Sequence, residues 1–147
     1  MMPRRIAFAL IEHGRAAEWV TSLVLLTFAV TLALPGNTLH LSPSYRGFLN
    51  LGFDEASLVL LFSLLGGARI TALYINGSWR RSPSLRAVGA WFGAATFASL
   101  SVTFGWNYFT TPGVALGTGT GTYAVLAFCD LLAAYRSAAD ARVSRYQ

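Results

Sequence analysis

The sequence predicts an all-α fold: an integral membrane protein built as a four-transmembrane-helix bundle with an interfacial outer loop segment, all of residues 1–147 forming one transmembrane domain. Composition is the first reason, because 54% of the 147 residues are hydrophobic and only 12% are charged, roughly half the charged share of a soluble domain. The second reason is that four stretches are long enough to cross a bilayer core of about 30 Å as helices. The third is that the basic residues are all arginine, eleven against six acids, and are clustered between those stretches.

The first two predicted spans have clear ends. The first covers Ala16–Leu34 and stops at Pro35-Gly36, which cannot continue a helix. Its apolar length exceeds the roughly 7–15 residues of a signal-peptide core, so we interpret it as an uncleaved anchor. The second covers Glu55–Ile75, with Asp54 as its N-cap and Asn76-Gly77 as its stop.

The third and fourth predicted spans differ in strength. The third covers Leu85–Tyr108, with Ser82 as the N-cap and Pro83 at the first helical position. The fourth covers Val114–Tyr135 and is the weakest, because it opens with the sequence GTGTGT at residues 117–122. Whether residues 114–122 are helical is left open by the sequence.

The arginines predict the orientation, because short Arg-rich loops remain cytoplasmic. Nine of them flank span ends that share one side: Arg4, Arg5, Arg15, Arg80, Arg81, Arg86, Arg136, Arg142 and Arg145. Only Arg46 falls on the opposite side. We therefore expect a multi-pass membrane protein with both termini cytoplasmic, a short tail over residues 136–147, and the anionic inner leaflet as its lipid partner.

Two further segments are predicted to lie at the membrane surfaces. Pro35–Asp54 is too apolar for a solvated loop, and Pro43 and Gly47 interrupt it too much for a span. We interpret it as an interfacial segment packed on the outer ends of the spans. Arg4–Ile11 mixes arginine with large apolar residues, which is typical of a short helix resting on the inner leaflet.

Three charged residues fall inside the predicted spans, where charges are costly. They are Glu18, Arg69 and Asp130, and the predicted topology places all three at similar depth in the inner leaflet. We predict an intramembrane polar clasp in which Arg69 lies between the two carboxylates. Three alternatives stay open: a position of Glu18 at the headgroups, a polar lining that is exposed when subunits assemble, and a proton or ion relay.

Small residues at helical spacing predict where helices pack closely. Three pairs share this spacing: Gly89 with Gly93, Ser63 with Gly67, and Gly117 with Gly121. Packing within one chain is the first interpretation. Contact between copies in a homo-oligomer and a threonine-lined wet face are the alternatives.

The loop between spans two and three, residues 76–86, has the most distinctive sequence in the chain. Its residues Trp79, Arg80, Arg81 and Arg86 are predicted to anchor the topology by contacting anionic lipid headgroups, and docking of a cytoplasmic partner is the alternative.

Enzyme chemistry has little support in the sequence, and we expect no catalytic residues, metal or cofactor. His13 and His40 fall on opposite sides of the predicted membrane, so they cannot share one site. Cys129 is the only cysteine and cannot form an internal disulfide. The positive charge is explained by topology and lipid, so no nucleic acid is expected as a partner.

Several motifs in the first three spans resemble those of small multi-span membrane proteins encoded by tailed bacteriophages and prophages, an uncharacterised, holin-like family. The matching motifs are Glu18-Trp19, Leu34-Pro35-Gly36, Gly67-Ala68-Arg69, the loop NGSWRRSPSLR at residues 76–86, and Gly89-Ala90. The loop, in the form NGxWRRxPxLR, is the most specific of them. The fourth span agrees only in general character. The resemblance implies a phage origin, a location in the bacterial (host) inner membrane, and a host or phage membrane protein as a partner. It supplies no catalytic residues.

The size, the basic tail, the small-residue spacing and the absence of a catalytic motif favour a holin-like function, in which copies oligomerise, permeabilise the inner membrane and permit host lysis. Two alternatives remain open. One is a membrane interaction protein for superinfection exclusion or anti-defence, and the other is a virion-associated membrane component.

Overall fold

The computed structural model describes residues 15–78 and 83–143, and every regular element in these two ranges is helical. The four long helices are α1 (Ala16–Ala33), α4 (Glu55–Ser78), α5 (Pro83–Thr110) and α6 (Thr118–Val143). Between α1 and α4 lie two short helices, α2 (Thr38–Leu41) and α3 (Arg46–Asn50), separated by the 3₁₀ turn Pro43–Tyr45. The all-α prediction is confirmed for the described residues.

The predicted boundaries of two helices, α4 and α6, differ from those of the structure. The α4 helix continues through Asn76-Gly77 to Ser78, because a single glycine weakens a helix by about 1 kcal/mol without terminating it. The α6 helix begins at Thr118 and ends at Val143, so residues 114–117 are not helical and residues 136–143 continue the helix instead of forming a separate tail. Alanine is frequent over residues 133–141, and its high helix propensity favours this extension.

The start of α4 follows the predicted capping chemistry. The Asp54 carboxylate Oδ1 accepts the backbone N–H of Ser57 at 2.8 Å, and the Ser57 hydroxyl oxygen accepts the Asp54 N–H at 3.1 Å. This reciprocal pair satisfies N–H groups that have no partner inside the first helical turn. Pro83 is the first residue of α5, as predicted, while Ser82 and the segment Arg4–Ile11 lie outside the described residues.

The long helices pack as two antiparallel pairs. Helix α1 packs mainly on α4, and α5 packs mainly on α6. In the first pair Phe28 meets Phe62, and Thr21 meets Arg69 further along. The end of the bundle where α1 and α5 begin is called the Arg86 end below, and the opposite end is called the Tyr45 end.

The segment between α1 and α4 lies across the Tyr45 end of the bundle. The Leu39 N–H donates to Glu55 Oε1 at 2.9 Å, and the Asn107 side-chain amide donates to the Pro43 carbonyl. Gly47 packs so closely on α5 that an added Cβ would lie 2.6 Å from the Thr103 carbonyl oxygen. These contacts hold the segment as a helical cap, which matches the expectation that it packs on the helix ends.

Three of the described helices are long and apolar enough to cross a membrane: Ala16–Ala33, Glu55–Ile75 and Pro83–Thr110. Helix α6 is not among them, because its polar first turns and the charged residues Asp130 and Arg136 lower its hydropathy. The fourth span therefore stays a prediction.

Candidate functional site: two buried ion pairs

The first ion pair joins α4 to α6 near the middle of α6. Arg69 Nη1 donates to Asp130 Oδ2 at 2.7 Å, and Arg69 Nη2 donates to Asp130 Oδ1 at 2.7 Å. The Arg69 side chain is 6% exposed and that of Asp130 is fully buried. Two parallel charge-assisted hydrogen bonds fix both the separation and the orientation of the two groups.

Thr21 of α1 is the third member of this site, and the sequence analysis missed it. Its Oγ1 accepts a hydrogen bond from Arg69 Nη2 at 2.9 Å and lies 2.7 Å from Asp130 Oδ1, to which it donates. Thr21 is one helical turn after Glu18, so the two residues share a face of α1. That spacing was the only available signal, since threonine is common in membrane helices and carries no charge.

Glu18 does not join Arg69 as predicted, because it pairs with Arg86 of α5. The Glu18 carboxylate accepts hydrogen bonds from Arg86 Nε at 3.2 Å and from Arg86 Nη2. Glu18 lies about one turn nearer the Arg86 end than Thr21, and Thr21 occupies the position on α1 that faces Arg69. The single predicted clasp is therefore two ion pairs at different levels of the bundle.

Arg86 is also placed differently from the expectation that it faces lipid headgroups. It is only 8% exposed, and beyond Glu18 it lies 4.0 Å from Asp140 Oδ2 of α6. A buried cation needs an opposite charge with good geometry, which Glu18 supplies. The other three residues of the predicted contact loop, Trp79, Arg80 and Arg81, lie outside the described residues.

Gly93 makes the first ion pair sterically possible. A Cβ at this position would lie 2.6 Å from Arg69 Cζ and would overlap Arg69 Nη1 and Asp130 Oδ2. Gly89, one turn away, would place a Cβ 3.7 Å from Arg69 Cγ, which is an ordinary contact. The predicted Gly89–Gly93 pair therefore makes room for a side chain, Arg69, and only Gly93 strictly requires glycine.

The other two predicted small-residue pairs do not pack within the chain. A Cβ added at Gly67, Gly117 or Gly121 meets no atom within 4 Å, and Ser63 is exposed. Glycines outside the prediction make close contacts between the long helices instead, including Gly66, which packs on Leu26, and Gly105, which packs on Thr120. One residue along a helix turns a side chain by about 100°, so spacing alone cannot select Gly66 over Gly67.

Aromatic rings fill the core between the ion pairs and the Tyr45 end. Phe28 lies at the centre of this cluster, with its ring centroid 4.9 Å from that of Phe62, and four more rings surround these two: Tyr45, Phe48, Phe104 and Tyr123. Edge-to-face ring contacts at these distances are favourable. Burial raises the pKa of the Tyr45 phenol, which lies in the cap. The aromatic cluster thus separates the two buried ion pairs from the Tyr45 end of the bundle.

The described part of the chain contains no group of three His, Cys, Asp or Glu side chains that could hold a metal ion. Cys129 is a half-buried free thiol on α6, adjacent in sequence to Asp130. His40 lies on α2 in the cap, while His13 is outside the described residues.

No protein-family model, curated protein or solved structure matches this chain. The resemblance to phage membrane proteins therefore stays a prediction from the motifs of the sequence.

Proposed function

We propose that this chain is a phage-encoded, holin-like protein of the bacterial inner membrane. In this proposal it crosses the membrane four times with both termini in the cytoplasm. Copies of the chain associate and permeabilise the membrane, which permits host lysis.

The observation that carries the proposal is an inverted distribution of polarity across the bundle. Four charged side chains are buried in the interior: Glu18, Arg69, Arg86 and Asp130. Large apolar side chains point outward, including Leu64, Phe92 and Phe109, which are 63%, 60% and 78% exposed. A soluble protein rarely exposes apolar patches of such extent, whereas intramembrane charges typically face the bundle interior.

The same geometry supports a fourth span. A lone Asp at the centre of α6 would oppose insertion by about 2.5–3.5 kcal/mol. Pairing Asp130 with Arg69 removes the net charge, and α6 packs along α5, which is itself long and apolar enough to span. The orientation follows from the arginines, since Arg136 and Arg142 are exposed near the Arg86 end and Arg46 lies at the other.

Association of copies is supported by the small residues that the single chain leaves unpacked. Two of them, Ser63 and Gly67, lie on α4. Gly117 lies just before α6 and Gly121 lies within it, and all three glycines have open space around them. Small residues on an exposed face allow a second helix to approach closely. Because aromatic rings close the interior of one bundle, permeation in this proposal occurs between copies and not through a single chain.

Induced expression in a bacterial host tests this function. Membrane potential should collapse abruptly after a delay, and cells that co-express an endolysin should then lyse. Gly121→Leu adds bulk to the open face of α6 and should delay or abolish the collapse. Val125→Leu is the matched control, because Val125 is one turn away and 62% exposed.

Cells that keep their membrane potential and do not lyse would contradict the holin-like function. Resistance of such cells to infection would then favour superinfection exclusion or anti-defence. Recovery of the chain in purified virions would favour a virion-associated role.

A further inference from the structure

A small cavity, partly open to the outside of the bundle, lies between the two ion pairs at the seam where α4 meets α5. Its volume is about 10 Å³, and its polar lining comes from Glu18, Arg69 and Arg86. All three side chains are more than nine-tenths buried. The cavity therefore touches one member of the first ion pair and both members of the second.

We propose that this cavity is a binding site for one structural water molecule, which links the two ion pairs into a single hydrogen-bonded network. A site of about 10–15 Å³ with two to four polar partners is what a buried water requires. The enclosed part of the cavity is too small for a phosphate or a sugar group. The proposal does not rest on the holin-like function.

Charge also selects a neutral ligand. The two arginines balance the two buried carboxylates of Glu18 and Asp130, and the third carboxylate near Arg86, that of Asp140, is exposed, so the buried groups offer no net attraction to an ion. A water molecule can both accept a hydrogen bond from Arg69 and donate one to Glu18, and both side chains have hydrogen-bonding capacity left. The bonds from Arg69 to Asp130 and Thr21 engage three of its five N–H groups, and a carboxylate such as Glu18 can accept more than the two bonds it receives from Arg86.

The water would connect all four long helices. Glu18 and Thr21 lie on α1, Arg69 on α4, Arg86 on α5 and Asp130 on α6. The direct ion pairs join α4 to α6 and α1 to α5, so each already crosses between the two helix pairs. A bridging water adds a hydrogen-bonded link between Arg69 and the Glu18–Arg86 pair. The two ion pairs then form one continuous network.

Gly89 offers a way to remove the water without disturbing the ion pairs. It lines the cavity, and an added Cβ would meet only Arg69 Cγ, at an ordinary 3.7 Å. Gly89→Ala therefore places a methyl group in the space that the water would occupy. Gly67→Ala is the matched control, because it adds the same methyl group to α4 with no atom within 4 Å.

The test is nuclear magnetic resonance of the full chain in lipid nanodiscs, with arginine labelled by ¹⁵N at Nε. Arg69→Lys and Arg86→Lys spectra assign the two signals. We expect cross-peaks between a long-lived water and the Nε–H of Arg69 or Arg86, retained in Gly67→Ala and lost in Gly89→Ala. Failure to observe any such cross-peak in the unmodified chain would overturn the proposal, as would cross-peaks of full strength in a folded Gly89→Ala. If Gly89→Ala does not fold, the spectrum of the unmodified chain still decides.

Discussion

Arg69 and Asp130 lie 61 positions apart in the sequence and are joined by two parallel hydrogen bonds of 2.7 Å between α4 and α6. Breaking a buried ion pair by removing one partner leaves an uncompensated charge, which costs about 3–5 kcal/mol. We therefore expect Arg69→Ala to lower the free energy of unfolding by about that amount, measured by thermal or denaturant unfolding in detergent micelles.

The double variant Arg69→Met with Asp130→Leu is the control for this prediction. It removes both charges and keeps apolar volume, so it should recover most of the lost stability. An Arg69→Ala protein that unfolds at the midpoint of the unmodified chain would show that the pair does not hold the bundle together.

Gly93 is the position at which the fold tolerates a methyl group least. Gly93→Ala forces Arg69 and Asp130 apart, because the new Cβ would overlap atoms of both. We expect a loss of about 1–3 kcal/mol, typical of overpacking in a filled core. Gly67→Ala on the open face of α4 should instead be neutral or stabilise by up to about 1 kcal/mol through helix propensity. Equal unfolding midpoints for the two variants would contradict the close packing at Gly93.

The Glu18–Arg86 pair predicts that two arginine substitutions differ sharply in how much they lower the free energy of unfolding. Arg86→Ala leaves the buried Glu18 carboxylate without its partner and should cost about 3–5 kcal/mol. Arg46→Ala, on the exposed surface of the cap, should stay within about 0.5 kcal/mol of the unmodified chain. Denaturant unfolding of both variants in the same micelles measures the difference. If Arg86 faced headgroups, as the sequence alone indicates, the two substitutions would have similar effects.

The N-cap of α4 predicts a dependence of stability on acid pH. Hydrogen bonds from Ser57 hold the pKa of Asp54 below its ordinary value of 3.8. A carboxyl whose pKa is lower in the folded state stabilises above its unfolded pKa, and this contribution disappears as the pH falls through the folded pKa. Asp54→Asn keeps a capping oxygen but cannot titrate. As the pH falls from about 6 to about 2, the unfolding temperature of the unmodified chain should therefore decrease more than that of Asp54→Asn. A constant difference across this range would show that the cap does not perturb Asp54.

Much of the fold could be predicted because helix formation in this chain depends on local features. Long apolar stretches, Pro35-Gly36, Asp54 and Pro83 mark helices and their ends through the backbone and neighbouring residues alone. The ends of α6 could not be located in this way, because glycine and threonine at its start and alanine at its end give weak and opposing signals.

The candidate site was only partly predictable for a different reason. Charge and span membership singled out Glu18, Arg69 and Asp130, since each needs a partner inside an apolar environment. Which partner each one takes depends on how the helices are rotated and shifted against one another. Arg86 was assigned to the headgroups because it lies near a helix start, and Thr21 carried no charge to attract notice.

By itself, the sequence determined the helical fold class, three apolar helices long enough to cross a membrane, and the presence of internal charges that require neutralisation. These properties follow from composition and from interactions within a few residues. Only the tertiary structure decided that Arg69 pairs with Asp130 and Arg86 with Glu18, and that Gly93, unlike Gly67, cannot carry a side chain. Those outcomes depend on contacts between residues far apart in sequence, where a rotation of one helix by one residue exchanges a buried position for an exposed one.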